Sequence, residues 1–210
     1  MIIQYDFDGT IIRNNLSVLL REKYARGDWR KIDSDYLRGE LTVEQSNKLQ
    51  FALIKETKKR LQEFVRQHIE LRPGFAEFVR YCQESAIPFV IVSSGLDFYI
   101  EPVLAQIGMP DLELHCGQTS FGKNGIAVSY TDRAGNTINE GFKYKCLSWL
   151  KKRGKDIIYI GDGLSDLEAA SLANHIFATG HLVKLLSAQS IPCSSFSDFH
   201  DLLRQLRLLF

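Results

Sequence analysis

Five residues near the amino terminus, Asp6-Phe7-Asp8-Gly9-Thr10, follow directly on the apolar run Ile2 to Tyr5. Four of these positions, each filled at roughly 5 to 7% by composition, would be matched by accident in about one window in 10^5. In an extended segment Asp6 and Asp8 project to the same side, because side chains alternate with period two. Two carboxylates held that close repel each other, so one takes a proton or a cation sits between them. Oxygen-only ligands suit Mg2+, which keeps several waters and takes one or two protein carboxylates together with a substrate phosphate. Gly9 lets the backbone turn sharply away from such a site. A second acidic run, Gly161-Asp162-Gly163-Leu164-Ser165-Asp166, follows the apolar Ile157 to Ile160 and puts Asp162 at another strand end. Taken alone, Asp162 is a turn residue and Asp166 a carboxylate complementing a helix N-terminus. Beside the first pair, both runs read as parts of one acidic site.

Two further features could meet an anion. Ser93-Ser94-Gly95 follows Pro88-Phe89-Val90-Ile91-Val92, and a hydroxyl with successive backbone N–H groups at a strand-to-helix turn makes an anion-binding nest. Lys143, in Gly141-Phe142-Lys143-Tyr144-Lys145, would act as a point charge against phosphate, with Lys145 as the other candidate.

The elements that must position these residues are short apolar runs ending in Asp, Ser or Gly: Ile2 to Tyr5, Pro88 to Val92, Leu112 to Cys116, Ile157 to Ile160 and Ile176 to Ala178. Separated by segments of helical periodicity, they predict an α/β fold with a doubly wound, mostly parallel sheet, whose ligands sit at the carboxyl ends of the strands. Between Asn15 and His68 no strand is expected. Helical spacing runs through Ser17 to Arg26 and again through Val43 to His68, the second helix opening on the capping pair Thr42 and Gln45. Leu49, Leu53, Ile54, Leu61, Phe64 and Val65 form its apolar stripe, with Phe51 off it, and Lys55 to Arg60 a solvated face. These patterns predict a core of residues 1–14 and 71–210 and a helical cap over 15–70. Arg72-Pro73-Gly74 ends the insertion and opens a helix with Phe75, Phe78, Val79 and Cys82 on one face. Turn residues on either side of Ile126 to Tyr130 predict a hairpin.

Composition narrows the partners. Among 210 residues, Lys and Arg number 26 and Asp and Glu 25, a net charge of +1. No bulk field is available to hold nucleic acid or anionic lipid, and the basic run Lys55 to Arg60 contains no aromatic residue. The longest apolar runs are strand-sized, well below the ~18 residues of a membrane span. The start of the chain lacks a basic region and a long apolar stretch, which predicts a cytoplasmic protein without a targeting segment. Cys82, Cys116, Cys146 and Cys193 lie far apart, which argues against zinc and disulfides and for buried, reduced thiols. None of the five histidines has ligand spacing. The apolar tail Leu206 to Phe210 suits a core element or a contact surface, and a monomer or a homodimer is expected.

In order and strand context, Asp6-Phe7-Asp8-Gly9-Thr10, Ser93, Lys143 and Gly161-Asp162-Gly163-Leu164-Ser165-Asp166 resemble the four motifs of the haloacid dehalogenase superfamily of phosphatases. The likeness spans nearly the whole chain. An insertion between the first two motifs, with the return Leu71-Arg72-Pro73-Gly74-Phe75, is similar to the phosphoserine phosphatase branch. Val92-Ser93-Ser94-Gly95-Leu96-Asp97-Phe98-Tyr99, and Asp166-Leu167-Glu168-Ala169-Ala170 followed by Ile176-Phe177-Ala178, resemble a methionine-salvage subgroup of it.

The resemblance implies a Mg2+-dependent hydrolase of a small phosphate ester that works through an aspartyl-phosphate. Asp6 would be the nucleophile and Asp8 the general acid and base. Asp6, the Asp8 carbonyl and Asp162 would hold the metal, with Asp166 ligating or orienting. Ser93, the Ser94 amide and Lys143 would bind the phosphoryl oxygens. Phosphoserine phosphatases usually carry a substrate-binding Glu where this chain has Asn15, and Ser-Gly-Gly where it has Ser93-Ser94-Gly95, which weakens the case for an amino-acid substrate. A phosphomutase using the same intermediate, and a non-catalytic phosphate-responsive module, are the alternatives.

Overall fold

The structure is a computed structural model that describes residues 1–209; Phe210, the end of the apolar tail, lies outside the described residues. The chain divides into two compact units. One comprises Met1–Asn14, Glu70–Val92 and the stretch from Lys143 onward, and the other comprises Asn15–Ile69 and Ser93–Phe142. The expected core of 1–14 and 71–210 is thus divided differently, with 93–142 grouped beside the helical insertion.

The first unit holds β1 (Ile2–Tyr5), α5 (Phe75–Glu84), the first half of β2 (Phe89–Leu96), α7 (Phe142–Lys151, from its second residue), β5 (Ile157–Gly161), α8 (Leu167–Ala170), β6 (His175–Ala178), α9 (Gly180–Ala188), β7 (Ser194–Ser195) and α10 (Phe199–Leu206). Its strands are parallel, in the order β2-β1-β5-β6-β7. A parallel sheet covered on both faces needs nearly continuous apolar strands. Every residue of β5 is buried, as are Ile3 to Tyr5 of β1. Tyr5 pairs with both Ile91 and Ile160, so β1, β2 and β5 run level and the residues after each leave at one edge. Beside the sheet, the Tyr5 ring meets Phe75 and Phe78 edge-on and stacks on Phe89, while Phe199 of α10 closes on Phe75 and Phe78. Tyr5, Phe75, Phe78 and Phe199 are buried, each contributing roughly 1.5–3 kcal/mol, while Phe89 is only partly buried. As expected, Phe75, Phe78, Val79 and Cys82 form the buried face of α5. In the tail, Leu206 packs into the core while Leu208 is 86% exposed.

The second unit holds α1 (Leu16–Tyr24), α2 (Trp29–Leu37), α3 (Val43–Ala52), α4 (Lys58–Gln67), α6 (Asp97–Gln106) and the antiparallel hairpin β3 (Leu114–Gly122) with β4 (Gly125–Ser129). The hairpin falls where the turn residues predict it. Two helical expectations are corrected. The single helix over Val43 to His68 is two helices, because Leu53 to Thr57 leave the helical path: the Leu53 carbonyl accepts from Arg26 N (2.9 Å), Ile54 pairs with Ala25, and Thr57 caps α4. Within α3 itself the buried face is not the expected one: Phe51 is fully buried and Leu49, placed on the stripe, is exposed. Helix α2, capped by Asp28, lies where no helix was expected. The capping box of Thr42 and Gln45 forms as expected. All four cysteines are free thiols; Cys82 and Cys116 are buried, and Cys146 and Cys193 are partly exposed. Among the described residues, no helix is long and apolar enough to cross a membrane.

Candidate active site

At the common edge of β1 and β5, carboxylate oxygens of Asp6, Asp162 and Asp166 come within 4.8 Å of one another. Lys143 sits among them, its Nζ 2.8 Å from Asp6 Oδ1 and 2.7 Å from Asp166 Oδ1, and it is almost wholly buried. Three carboxylates around one ammonium would carry a net charge of −2 with every acid ionised, a state that burial opposes. Burial pushes the Asp6 carboxyl up to about 6 against the pull of Lys143, with Asp166 adding to the rise. Burial pushes Asp162 higher, to about 8, with Asp166 and Asp6 adding to it. Burial would lower Lys143, but Asp166 and Asp6 outweigh it and hold the ammonium charged.

Asp166 has its carboxylate fully engaged. Oδ1 accepts from Lys143 Nζ and from the Tyr159 hydroxyl (2.6 Å), and Oδ2 accepts from the backbone amides of Asp162 (3.0 Å) and Gly163 (2.9 Å). A carboxylate has about four acceptor sites, so the bend after β5 is built around this side chain. Lys143 also donates to Ser165 Oγ (3.2 Å), and Gln4 of β1 donates to the Lys143 carbonyl (3.3 Å). Lys145 is exposed, so Lys143 is the lysine the fold brings to the cluster.

The loop after β1 is held from outside. Arg72 donates through Nε to the Thr10 carbonyl (2.8 Å), through Nη2 to the Gly9 carbonyl and through Nη1 to the Ser197 carbonyl (2.8 Å). Gly9 has φ +76°, and a Cβ there would lie 2.0 Å from Asp162 Oδ2, so the close approach of the two loops requires glycine. Asp8 is buried and its backbone bridges to Ile12, but its carboxylate is outside the convergent set. Arg72, Tyr159 and Gln4 were not singled out as site residues by type or spacing. Only the return motif around Arg72 carried a signal, read there as a turn.

In the second unit, Ser93 and Ser94 continue β2 beyond Val92 and are buried. Ser93 Oγ accepts from the Gly95 amide (3.0 Å). The Ser94 carbonyl accepts from Asn47 Nδ2 (2.8 Å) and from the Tyr130 hydroxyl (2.5 Å). Asn15 is the N-cap of α1, accepting from Val18 N (3.0 Å).

Residues 3–171 match the model of the haloacid dehalogenase-like hydrolase family. The chain belongs to that family. It is 29% identical to a 2-hydroxy-3-keto-5-methylthiopentenyl-1-phosphate phosphatase of Brevibacillus brevis, over 99% of this chain and 95% of the relative. It is 30% identical to a protein of the same name from Bacillus cereus strain G9842, over 97% and 94%. Among solved structures it resembles a phospho-aspartyl intermediate analogue of phosphoserine phosphatase, with TM-score 0.70, 18% identity and 97% of each chain covered. A substrate-bound phosphoserine phosphatase complex gives 0.71, 19% and the same coverage. The protein is a phosphatase, a hydrolase of phosphoric monoesters, as the motifs implied.

Proposed function

We propose that the protein is a Mg2+-dependent phosphatase that cleaves a small phosphate ester through an aspartyl-phosphate on Asp6. The observation that carries this reading is the convergence of Asp6, Asp162 and Asp166 around Lys143, more acids than the one ammonium can neutralise. An all-oxygen donor set with uncompensated charge fits Mg2+. Asp6, Asp162 and the Asp8 carbonyl would hold the ion, and Asp166, its oxygens already occupied, would orient Lys143 and the loop rather than ligate. When bound, the cation neutralises charge on Asp6 and on the phosphoryl oxygens.

Asp6 then attacks phosphorus, forming its O–P bond as the bond to the ester oxygen breaks. Asp8 gives that oxygen its proton, and afterwards takes one from the water that attacks phosphorus, so inorganic phosphate leaves and Asp6 is restored. The Ser93 hydroxyl, the Ser94 amide and the Lys143 ammonium hold the equatorial oxygens, where electrostatic stabilisation is the largest contribution. Their place directly beyond Val92, in the carboxyl-terminal half of β2, supports the two serines.

For the substrate we favour 2-hydroxy-3-keto-5-methylthiopentenyl 1-phosphate, a methionine-salvage ester, over phosphoserine. The relatives of that name cover nearly all of the chain, and Asn15 offers an amide used as a helix cap where an ammonium would need a carboxylate. Phosphate release is to be measured with and without Mg2+ on both esters, phosphorylcholine and nucleotides. Mg2+-dependent turnover fastest on the methylthiopentenyl ester is expected, beryllium fluoride should inhibit as an acyl-phosphate mimic, and Asp6→Asn should be inert. Turnover retained in Asp6→Asn would reject the nucleophile; preference for phosphoserine would reject the substrate.

A further inference from the structure

We propose that Asn47 and Tyr130 are positioning residues for phosphate binding, acting through the Ser94–Gly95 peptide on the Ser93 hydroxyl. The inference rests on the reading of Ser93 as a phosphate ligand and deepens it, and every residue in it belongs to the second unit.

The Ser94 carbonyl has two lone pairs, and both are taken, by Asn47 Nδ2 (2.8 Å) and by the Tyr130 hydroxyl (2.5 Å). The amide of Asn47 also reaches the Tyr130 oxygen (2.8 Å), so carbonyl, phenol and amide close a triangle. The far side of the same peptide, the Gly95 N–H, donates to Ser93 Oγ (3.0 Å). Rotating this peptide about its flanking bonds would exchange its N–H and C=O directions. That motion would take the Ser94 carbonyl and the Gly95 amide, both buried, away from these partners, at about 1–3 kcal/mol each. The peptide is therefore held in one orientation.

For Ser93 the consequence is specific. Its oxygen accepts from Gly95, so its own proton is the group left to donate to a phosphoryl oxygen. Donors on a peptide carbonyl also polarise the N–H of the same unit, which strengthens its bond to Ser93. The Tyr130 ring is itself fixed. It lies 5.2 Å from the Phe142 ring, and a Cβ on Gly117 would come within 2.9 Å of it. Asn47 projects from α3, one turn beyond Glu44, which accepts from the Phe142 amide (2.7 Å). A side chain of the helical insertion thereby sets the aim of a hydroxyl that the second motif supplies.

The test uses the whole enzyme, with p-nitrophenyl phosphate as substrate and inorganic phosphate as competitive inhibitor. Tyr130→Phe, which keeps the ring, should lower kcat/KM and raise the phosphate inhibition constant about 3- to 10-fold, the worth of one hydrogen bond. Asn47→Ala, which removes two donors, should cost more. In a Ser93→Ala background Tyr130→Phe should change either quantity less than about 2-fold, because the group it aims is gone. Equal effects of Tyr130→Phe in both backgrounds would overturn the proposal, as would wild-type values in Tyr130→Phe beside a Ser93→Ala that has lost phosphate affinity. Wild-type phosphate affinity in Ser93→Ala would instead overturn the underlying reading of Ser93, and this one with it. Should Asn47→Ala fail to fold, the Tyr130→Phe cycle decides alone.

Discussion

The loops that follow β1 and β5 carry equal numbers of aspartates, yet different side chains hold them. The β5 loop is self-organised: Asp166 turns back and accepts from the amides of Asp162 and Gly163, four and three residues upstream. The β1 loop closes on its own backbone, the Phe7 carbonyl accepting from the Thr10 (3.3 Å), Ile11 (2.9 Å) and Ile12 (3.2 Å) amides, and it is tied from outside as well. Its Gly9 and Thr10 carbonyls are gathered by Arg72, which stands 63 and 62 residues further along. A carboxylate organises donors, so it suits a bend that presents amides inward. A guanidinium organises acceptors, so it suits a bend that presents carbonyls. The β1 loop therefore adds a distant guanidinium to its own backbone bonds, whereas the β5 loop is gathered by a carboxylate of its own.

This contrast can be broken at either end. Asp6→Asn should reduce turnover by on the order of 10^4-fold or more, since it removes the reacting group and not a support; a steady-state assay with Mg2+ reads it. Asp166→Ala should come next. It strips four donors of their acceptor and leaves Lys143 buried beside Asp6 alone, and the loss of one partner of a buried ion pair costs about 3–5 kcal/mol, read by denaturant unfolding. Arg72→Ala should cost less, about 2–4 kcal/mol from three bonds by a charged donor, one of which lies outside the loop. Tyr159→Phe should be smallest, about 1.5–3 kcal/mol. If Arg72→Ala proved milder than Tyr159→Phe, the outside support of the β1 loop would be dispensable and the contrast false.

A pH measurement sharpens the same picture. Burial and neighbouring carboxylates raise Asp162 from an ordinary carboxylate value to about 8 and Asp6 to about 6. Between about pH 6 and 8 the unfolded chain has released the Asp162 proton that the folded chain still holds. The folded state binds more protons, so its stability falls as pH rises through this window and is greater below it. The melting temperature of chelator-treated protein should fall from pH 6 to pH 8. With millimolar Mg2+ the decline should flatten, because a cation takes over the neutralising work of the proton. A chelator-treated protein that grows more stable over that range would contradict the clustering of these acids.

Much of this organisation was readable before the fold. Ile2 to Tyr5 and Ile157 to Ile160 are strands within a residue of where apolar continuity put them, and the convergence of Asp6 with Asp162 follows from two strand ends at one sheet edge. What escaped were partners set by tertiary packing. Arg72 meets Thr10 across 62 residues and Asn47 meets Ser94 across 47, and nothing in local spacing marks either side chain. Tyr159 was counted with the apolar run it belongs to, although its hydroxyl is the part that matters. The broken helix over Val43 to His68 was missed for a related reason: periodicity continues nearly unchanged across Leu53 to Thr57, and the interruption comes from Ala25 and Arg26 bonding there.

Gly9 sets a limit on how this site can be altered. Its backbone sits at φ +76° and a Cβ there would fall 2.0 Å from Asp162 Oδ2, so a single methyl at residue 9 would strain the turn and force the Asp162 carboxylate, about 150 positions further along, to move. In a saturation library, every replacement at position 9 should lower activity, whereas Phe7, a ring sunk in the interior, should accept other bulky apolar side chains. Laboratory efforts to retune this enzyme would do better to work outward from the helical insertion than to touch the spacing of its acids.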